Sequence, residues 1–218
     1  MNDQILRSAF DTHNAGDISL EAARTYVNAA QKRCEADRAA GIAALEDIFC
    51  SGGPPAPALD GRYRGELVTI TLARGLTRPV ESLVARYRPW QGKVFDAAGQ
   101  RGENVIHPGA IPPARLLWPF YRGYRREGAE ARAFTFRTTV GPALRDPKLL
   151  VLKLDYNVPA NPRLAVSIRR VLDEVVQVAD GYYLGKAYVH WYGGGWSLAG
   201  YFTLVADESR RPMRADGR

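Results

Sequence analysis

Two hydrophobic periods divide this chain. Across residues 18–50 the apolar positions recur at helical spacing, first Leu20, Ala23, Val27, Ala30 and Cys34, then Ala40, Ile42, Leu45, Ile48 and Phe49. Ser19 stands where an N-cap belongs, and the pattern predicts an N-terminal helical arm over residues 1–50 with a break near Gly41. The run SGGPPAPALDG, residues 51–61, ends it, because glycine is entropically costly in a helix and consecutive prolines remove donors and restrict their predecessors. We read it as a linker into a second unit, residues 62–207.

Beyond the linker the period becomes two. Residues 62–72 (RYRGELVTITL) predict a strand with Tyr63 and Leu67 on one face and Arg64, Glu66, Val68 and Ile70 on the other. Residues 93–96 and 103–106 flank AAGQRG as a hairpin, and residues 132–140 and 148–156 predict two further strands. Residues 79–87 read as a short helix opened by Pro79, and residues 161–178 as a helix turning into a strand. The polar tail, residues 208–218, is predicted to be disordered.

The most informative stretch is Asp180 to Asp207, where two aromatic-rich alternating runs flank Gly193, Gly194 and Gly195. The glycines lack the lysine and helix of a phosphate loop and predict a hairpin turn with positive backbone angles. Alternation groups Tyr188, His190 and Tyr192 on one face of the first strand, and Trp196, Leu198, Phe202 and Leu204 along the second. Such a face lines either a packed core or a cavity. The predicted fold class is strand-dominated α+β, an antiparallel β-barrel or curved sheet with an N-terminal helical segment.

Composition narrows the partners. Lys and Arg total 30 against 23 Asp and Glu, a net charge of +7 carried mainly by arginine, which favours anionic partners. Cys34 and Cys50 suggest neither a disulfide framework nor zinc, and His13, His107 and His190 are too scattered for a metal site. No motif calls for a cofactor. The first residues carry charges and no continuous apolar run, so we expect no secretory signal, no membrane span and a cytoplasmic protein. Phe120 to Gly128 (FYRGYRREG) mixes tyrosine and arginine as single-strand binders do, but one cluster is too little to assign nucleic acid as a partner.

The candidate chemistry lies along the strands. Histidine is the side chain suited to acid–base work near neutrality and His190 sits between tyrosines, so His190, Asp155 and Tyr188 are the candidate acid and base residues. Asp155 and Asn157 equally suit a strand-ending turn. Arg64 offers a planar fork of donors to a ligand carboxylate, or a partner to Glu66. Tyr63, Phe134, Tyr188, Trp196 and Phe202 are the candidate ligand-binding walls, with Arg64 or His190 as the polar anchor.

Leu59 to Gly65 (LDGRYRG) resembles the opening strand of calycin-like barrels, the lipocalin and fatty-acid-binding group, with Tyr63 where that group has tryptophan. The resemblance implies an antiparallel barrel around one small apolar ligand, and transfers no catalytic residue. Three functions stay open: binding of a small, mostly apolar molecule, with or without a carboxylate; a barrel-shaped isomerase, cyclase or lyase; and a partner-binding module whose helices dock on another protein. Oligomeric state is not legible.

Overall fold

A computed structural model describes residues 18–71, 89–163 and 168–207. His13, the helix expected over 79–87 and the tail lie outside the described residues, as do positions 164–167 of the segment expected to begin as a helix.

Two helices open the described chain, α1 (Leu20–Ala36) and α2 (Arg38–Ser51). The Ser19 hydroxyl accepts the Ala22 amide at 3.2 Å, as an N-cap does. The break falls at Asp37 rather than near Gly41: its backbone N–H closes α1 on the Arg33 carbonyl at 2.7 Å, and its carboxylate caps α2 by accepting the Ala40 amide at 3.1 Å. Gly41 serves packing instead. A Cβ there would lie 2.3 Å from the Cys34 backbone nitrogen, so only glycine lets the two helices come this close.

The strands are β1 (Gly61–Ile70), β2 (Trp90–Asp96), β3 (Arg101–Ile106), β4 (Arg125–Glu127), β5 (Glu130–Pro142), β6 (Leu150–Asp155), β7 (Val171–Ala179), β8 (Tyr182–His190) and β9 (Trp196–Ala206). A short helix, α3 (Ile111–Leu117), lies between β3 and β4. Every pairing is antiparallel and joins chain neighbours, except that β3 also pairs with β5 and β1 with β9. Eight strands thus close an up-and-down barrel, which removes exposed sheet edges. The ninth, β4, extends the wall beside the first residues of β5.

In the segment expected to turn from helix into strand, Ile168–Arg170 is one 3-10 turn and β7 begins at Val171. The triple-glycine turn is as expected, with φ of +90° at Gly194 and +87° at Gly195.

The period-2 pattern separates two cores. Tyr63, Phe95, Phe134, Phe136, Leu154, Tyr156, Val175, Tyr183, Phe202 and Leu204 fill the barrel interior. Val68, Val151, Val176, Leu184 and Tyr201 point outward and are covered by Ala23, Val27, Leu45, Ile48 and Phe49 of α1 and α2. The helices therefore shield one apolar outer wall of the barrel. Burial of this order, at about 25 cal/mol per Å² of apolar surface, holds arm and barrel together.

Candidate functional site

The barrel interior contains a buried polar cluster within an otherwise aromatic and aliphatic lining. Lys93 projects inward from β2, in register with Tyr63 on one neighbouring strand and Asn104 on the other. Asp173 projects inward from β7, four places away in the ring of eight, so the two come from opposite walls. Lys93 Nζ meets Asp173 Oδ2 at 2.8 Å, and the ion pair spans the lumen. Both side chains are almost wholly buried, at 2% and 5% exposure.

The remaining donors and acceptors are used closely. Lys93 Nζ also donates to the Tyr156 hydroxyl at 2.6 Å and to Asn104 Oδ1 at 2.9 Å, which exhausts its three protons. Trp90 Nε1 donates to the same Asn104 oxygen at 3.0 Å, and Asn104 Nδ2 donates to the Tyr156 hydroxyl at 3.0 Å. The Tyr156 proton has Asp173 Oδ2 as an acceptor at 3.2 Å. Asp173 thus receives both bonds on one oxygen, and its Oδ1 has no hydrogen bond among the described residues. The ammonium also lies 5.1–5.4 Å from the ring centres of Trp90, Phe136, Tyr156 and Phe202, within cation–π range.

The electrostatics follow from burial. Desolvation pushes the Lys93 ammonium below its ordinary value, and the Asp173 carboxylate opposes that shift. Desolvation and the neighbouring Asp173 charge push the Tyr156 phenol well above its ordinary value, so it remains a proton donor at neutral pH.

Beside this cluster the barrel wall is interrupted. Among the described residues, β5 pairs with β4 up to Arg132 and with β6 from Arg137 onward, leaving positions 133–136 without a ladder partner on that side. Side chains take over: the Tyr121 hydroxyl accepts the Phe134 amide at 2.7 Å, and Asn161 Nδ2 donates to the Thr135 carbonyl at 2.6 Å. Phe134 sits at φ +56°, an uncommon conformation for a bulky residue, at a bulge in the β3–β5 ladder. Tyr121 stacks on its ring at 5.0 Å, with Trp118 and Tyr124 edge-on at 5.1 and 5.9 Å.

The residues expected from sequence divide between the two faces. Tyr63, Phe134 and Phe202 are buried in the interior. Arg64 and Glu66 point outward and are exposed. Tyr188 is buried on the outer face, below the Arg145 guanidinium. His190 and Trp196 pair in register at the end of the β8–β9 hairpin, their rings 5.0 Å apart on the outer wall. Alternation had grouped Trp196 with Phe202. A register shift between Ala187 and Tyr188 puts an extra residue on β9 and moves Trp196 and Leu198 to the opposite face. Asp155 is exposed, and its Oδ1 accepts the Asn157 amide at 2.8 Å, the geometry of a strand-ending turn. Its neighbour Tyr156 turns inward to the cluster. Lys93, Asn104 and Asp173 were missed, although their signal was present: each is a polar residue two places from an apolar residue of the interior, Phe95, Ile106 and Val175 respectively.

Two clefts, of about 310 and 550 Å³, lie on the outer wall around Glu103 and Arg137, and neither has a member of the cluster in its lining. Among the described residues no group of His, Cys, Asp and Glu has the arrangement of a metal site, and no helix is long and apolar enough to cross a membrane. Comparison with protein-family models, curated proteins and solved structures gives no match.

Proposed function

We propose that this protein binds a small, mostly apolar molecule inside the barrel and holds an oxygen of that molecule, a carboxylate or carbonyl, against Lys93. The observation that carries this reading is the Lys93–Asp173 pair crossing the lumen. A buried ion pair contributes little net stability compared with apolar residues of the same volume, so its presence among aromatic rings favours a role in recognition. Tyr63, Phe134 and Phe202 form apolar walls, and Lys93, by exchanging one of its three internal bonds for a ligand oxygen, fixes one polar end, the usual division of labour in a ligand site. The closed antiparallel barrel supports the calycin-like resemblance as the architectural frame. The break at positions 133–136, lined by Trp118, Tyr121 and Tyr124, is the access route.

A second reading has one observation of its own. Asp173 Oδ1 is free of hydrogen bonds among the described residues while Oδ2 is held by Lys93 and Tyr156. That leaves an oriented acceptor beside a protonated phenol, an arrangement suited to moving a proton within a bound substrate, as an isomerase or cyclase does.

The test is a titration of medium-chain carboxylates, methyl ketones and alkanes of matched length against the wild type and Lys93→Met/Asp173→Leu. The oxygen-bearing ligands are expected to bind the wild type roughly tenfold tighter than the variant, the strength of one charge-assisted bond, with alkanes unaffected. Equal affinity of both proteins for all three classes would exclude Lys93 as the anchor. Isomerised product appearing only with Asp173 present would establish the second reading.

A further inference from the structure

The segment containing α3 carries an exposed surface unlike the rest of the barrel. Leu116 is 85% exposed and Phe120 80%, on either side of Trp118, which packs back on Phe134. From residue 104 to residue 126 the sequence contains no carboxylate and four arginines, Arg115, Arg122, Arg125 and Arg126, all exposed. Arg125 reaches the Glu103 carboxylate, whereas no ion pair among the described residues engages Arg115, Arg122 or Arg126.

We infer that this rim docks on an anionic lipid bilayer, with Leu116 and Phe120 entering the headgroup boundary and the arginines meeting lipid phosphates. Two exposed apolar anchors within a cationic segment match the chemistry of interfacial membrane binding, in which apolar burial and charge attraction add. Nucleic acid fits less well, because two of the segment's rings are already committed. Tyr121 is buried with its hydroxyl committed to the Phe134 amide, and Tyr124 packs against Tyr121 at 4.8 Å, so neither ring is free to stack on a base. Strand directions place the rim at the end of the barrel where β1, β3, β6 and β8 finish, the end nearer the Lys93 cluster. The inference goes beyond the ligand reading and does not depend on it.

The experiment is co-sedimentation of the full chain with vesicles of phosphatidylcholine alone or containing about one quarter phosphatidylglycerol. The wild type is expected to pellet with the anionic vesicles and be released by salt at about 0.5 M, where charges are screened within a few ångströms. Leu116→Ser/Phe120→Ser is expected to weaken partitioning roughly tenfold. Arg115→Gln/Arg122→Gln is expected to weaken it more than Lys32→Gln/Lys148→Gln, which removes the same charge from exposed sites elsewhere. All four residues of the first two variants are exposed, and unchanged melting temperatures would show that folding is intact. No binding to anionic vesicles, no effect of the serine pair, or equal loss in the two charge-matched variants would overturn the inference. So would arginine-dependent binding to single-stranded DNA by a chain that ignores vesicles. No ligand is added, so failure here is distinct from failure of the barrel reading.

Discussion

At the scale of the residue, Lys93 and Asp173 decide the character of the barrel. Removing one partner and removing both have opposite consequences, because a lone buried charge is far costlier than an apolar replacement. Lys93→Met leaves Asp173 buried without its cation and is expected to lose about 3–5 kcal/mol of stability. Lys93→Met/Asp173→Leu is expected to be neutral, or more stable by about 1–4 kcal/mol. Chemical denaturation of both variants checks this. A double variant as unstable as the single one would mean that the cluster is needed for folding rather than recognition.

At the scale of the element, α2 is tied to the outer wall by a second polar cluster. Glu46 accepts from Lys186 Nζ at 2.5 Å and from the Tyr201 hydroxyl at 2.6 Å, and Lys186 lies 3.8 Å from the Phe49 ring centre. Glu174, opposite Lys186 in the ladder, accepts the Leu144 amide on one oxygen, while its other oxygen is buried without a hydrogen-bond partner among the described residues. The two carboxyls respond oppositely to pH. Burial alone would raise Glu46, but its bonds from Lys186 and Tyr201 outweigh burial and hold it below the ordinary value of 4.5. Its contribution to stability is therefore present above that value and lost as pH falls through the lower folded value. Burial raises Glu174 above 4.5, so its contribution is present at acid pH and lost as pH rises through the raised value. Melting curves from acid to mildly alkaline pH should show Glu174→Gln more stable than wild type above neutrality, the gap closing toward acid. Glu46→Gln should be less stable by about 1 kcal/mol at neutrality, a charged hydrogen bond discounted for its half-exposed carboxylate, the gap narrowing in acid. Gaps independent of pH would refute both assignments.

The elements were more legible than the site for reasons visible in particular residues. Helical spacing located α1 and α2, and alternation located β1, β5, β6, β8 and β9, because burial on one face repeats regularly along the chain. The helix break was misplaced because Gly41 reads as a breaker, whereas Asp37 acts by a cap and Gly41 by close packing. Helix α3 and strand β4 were not anticipated, since PPARLLWPF carries no sustained period. Trp196 changed face through a bulge that leaves no mark in composition. Lys93 and Asp173 lie 80 residues apart, and only closure of the barrel brings their walls face to face. His190 drew attention as a titratable group among tyrosines, but titration and neighbours along the chain say nothing about which side of the wall a side chain occupies.

At the scale of the whole molecule, the barrel is sealed around its circumference by the β1–β9 and β3–β5 pairings, with helices over one outer wall. Its inner face carries a cross-lumen ion pair, and the gap in the β5 ladder at positions 133–136 adjoins that pair. The most direct measurement is native mass spectrometry of the full chain purified without added ligand, followed by denaturing extraction. A discrete bound molecule, apolar with a carboxylate or carbonyl, present in the wild type and lost from Lys93→Met/Asp173→Leu, is the predicted result. A mass equal to the chain alone, together with no uptake of any carboxylate, ketone or alkane offered, would contradict the account and make the interior a packed core braced by an ion pair.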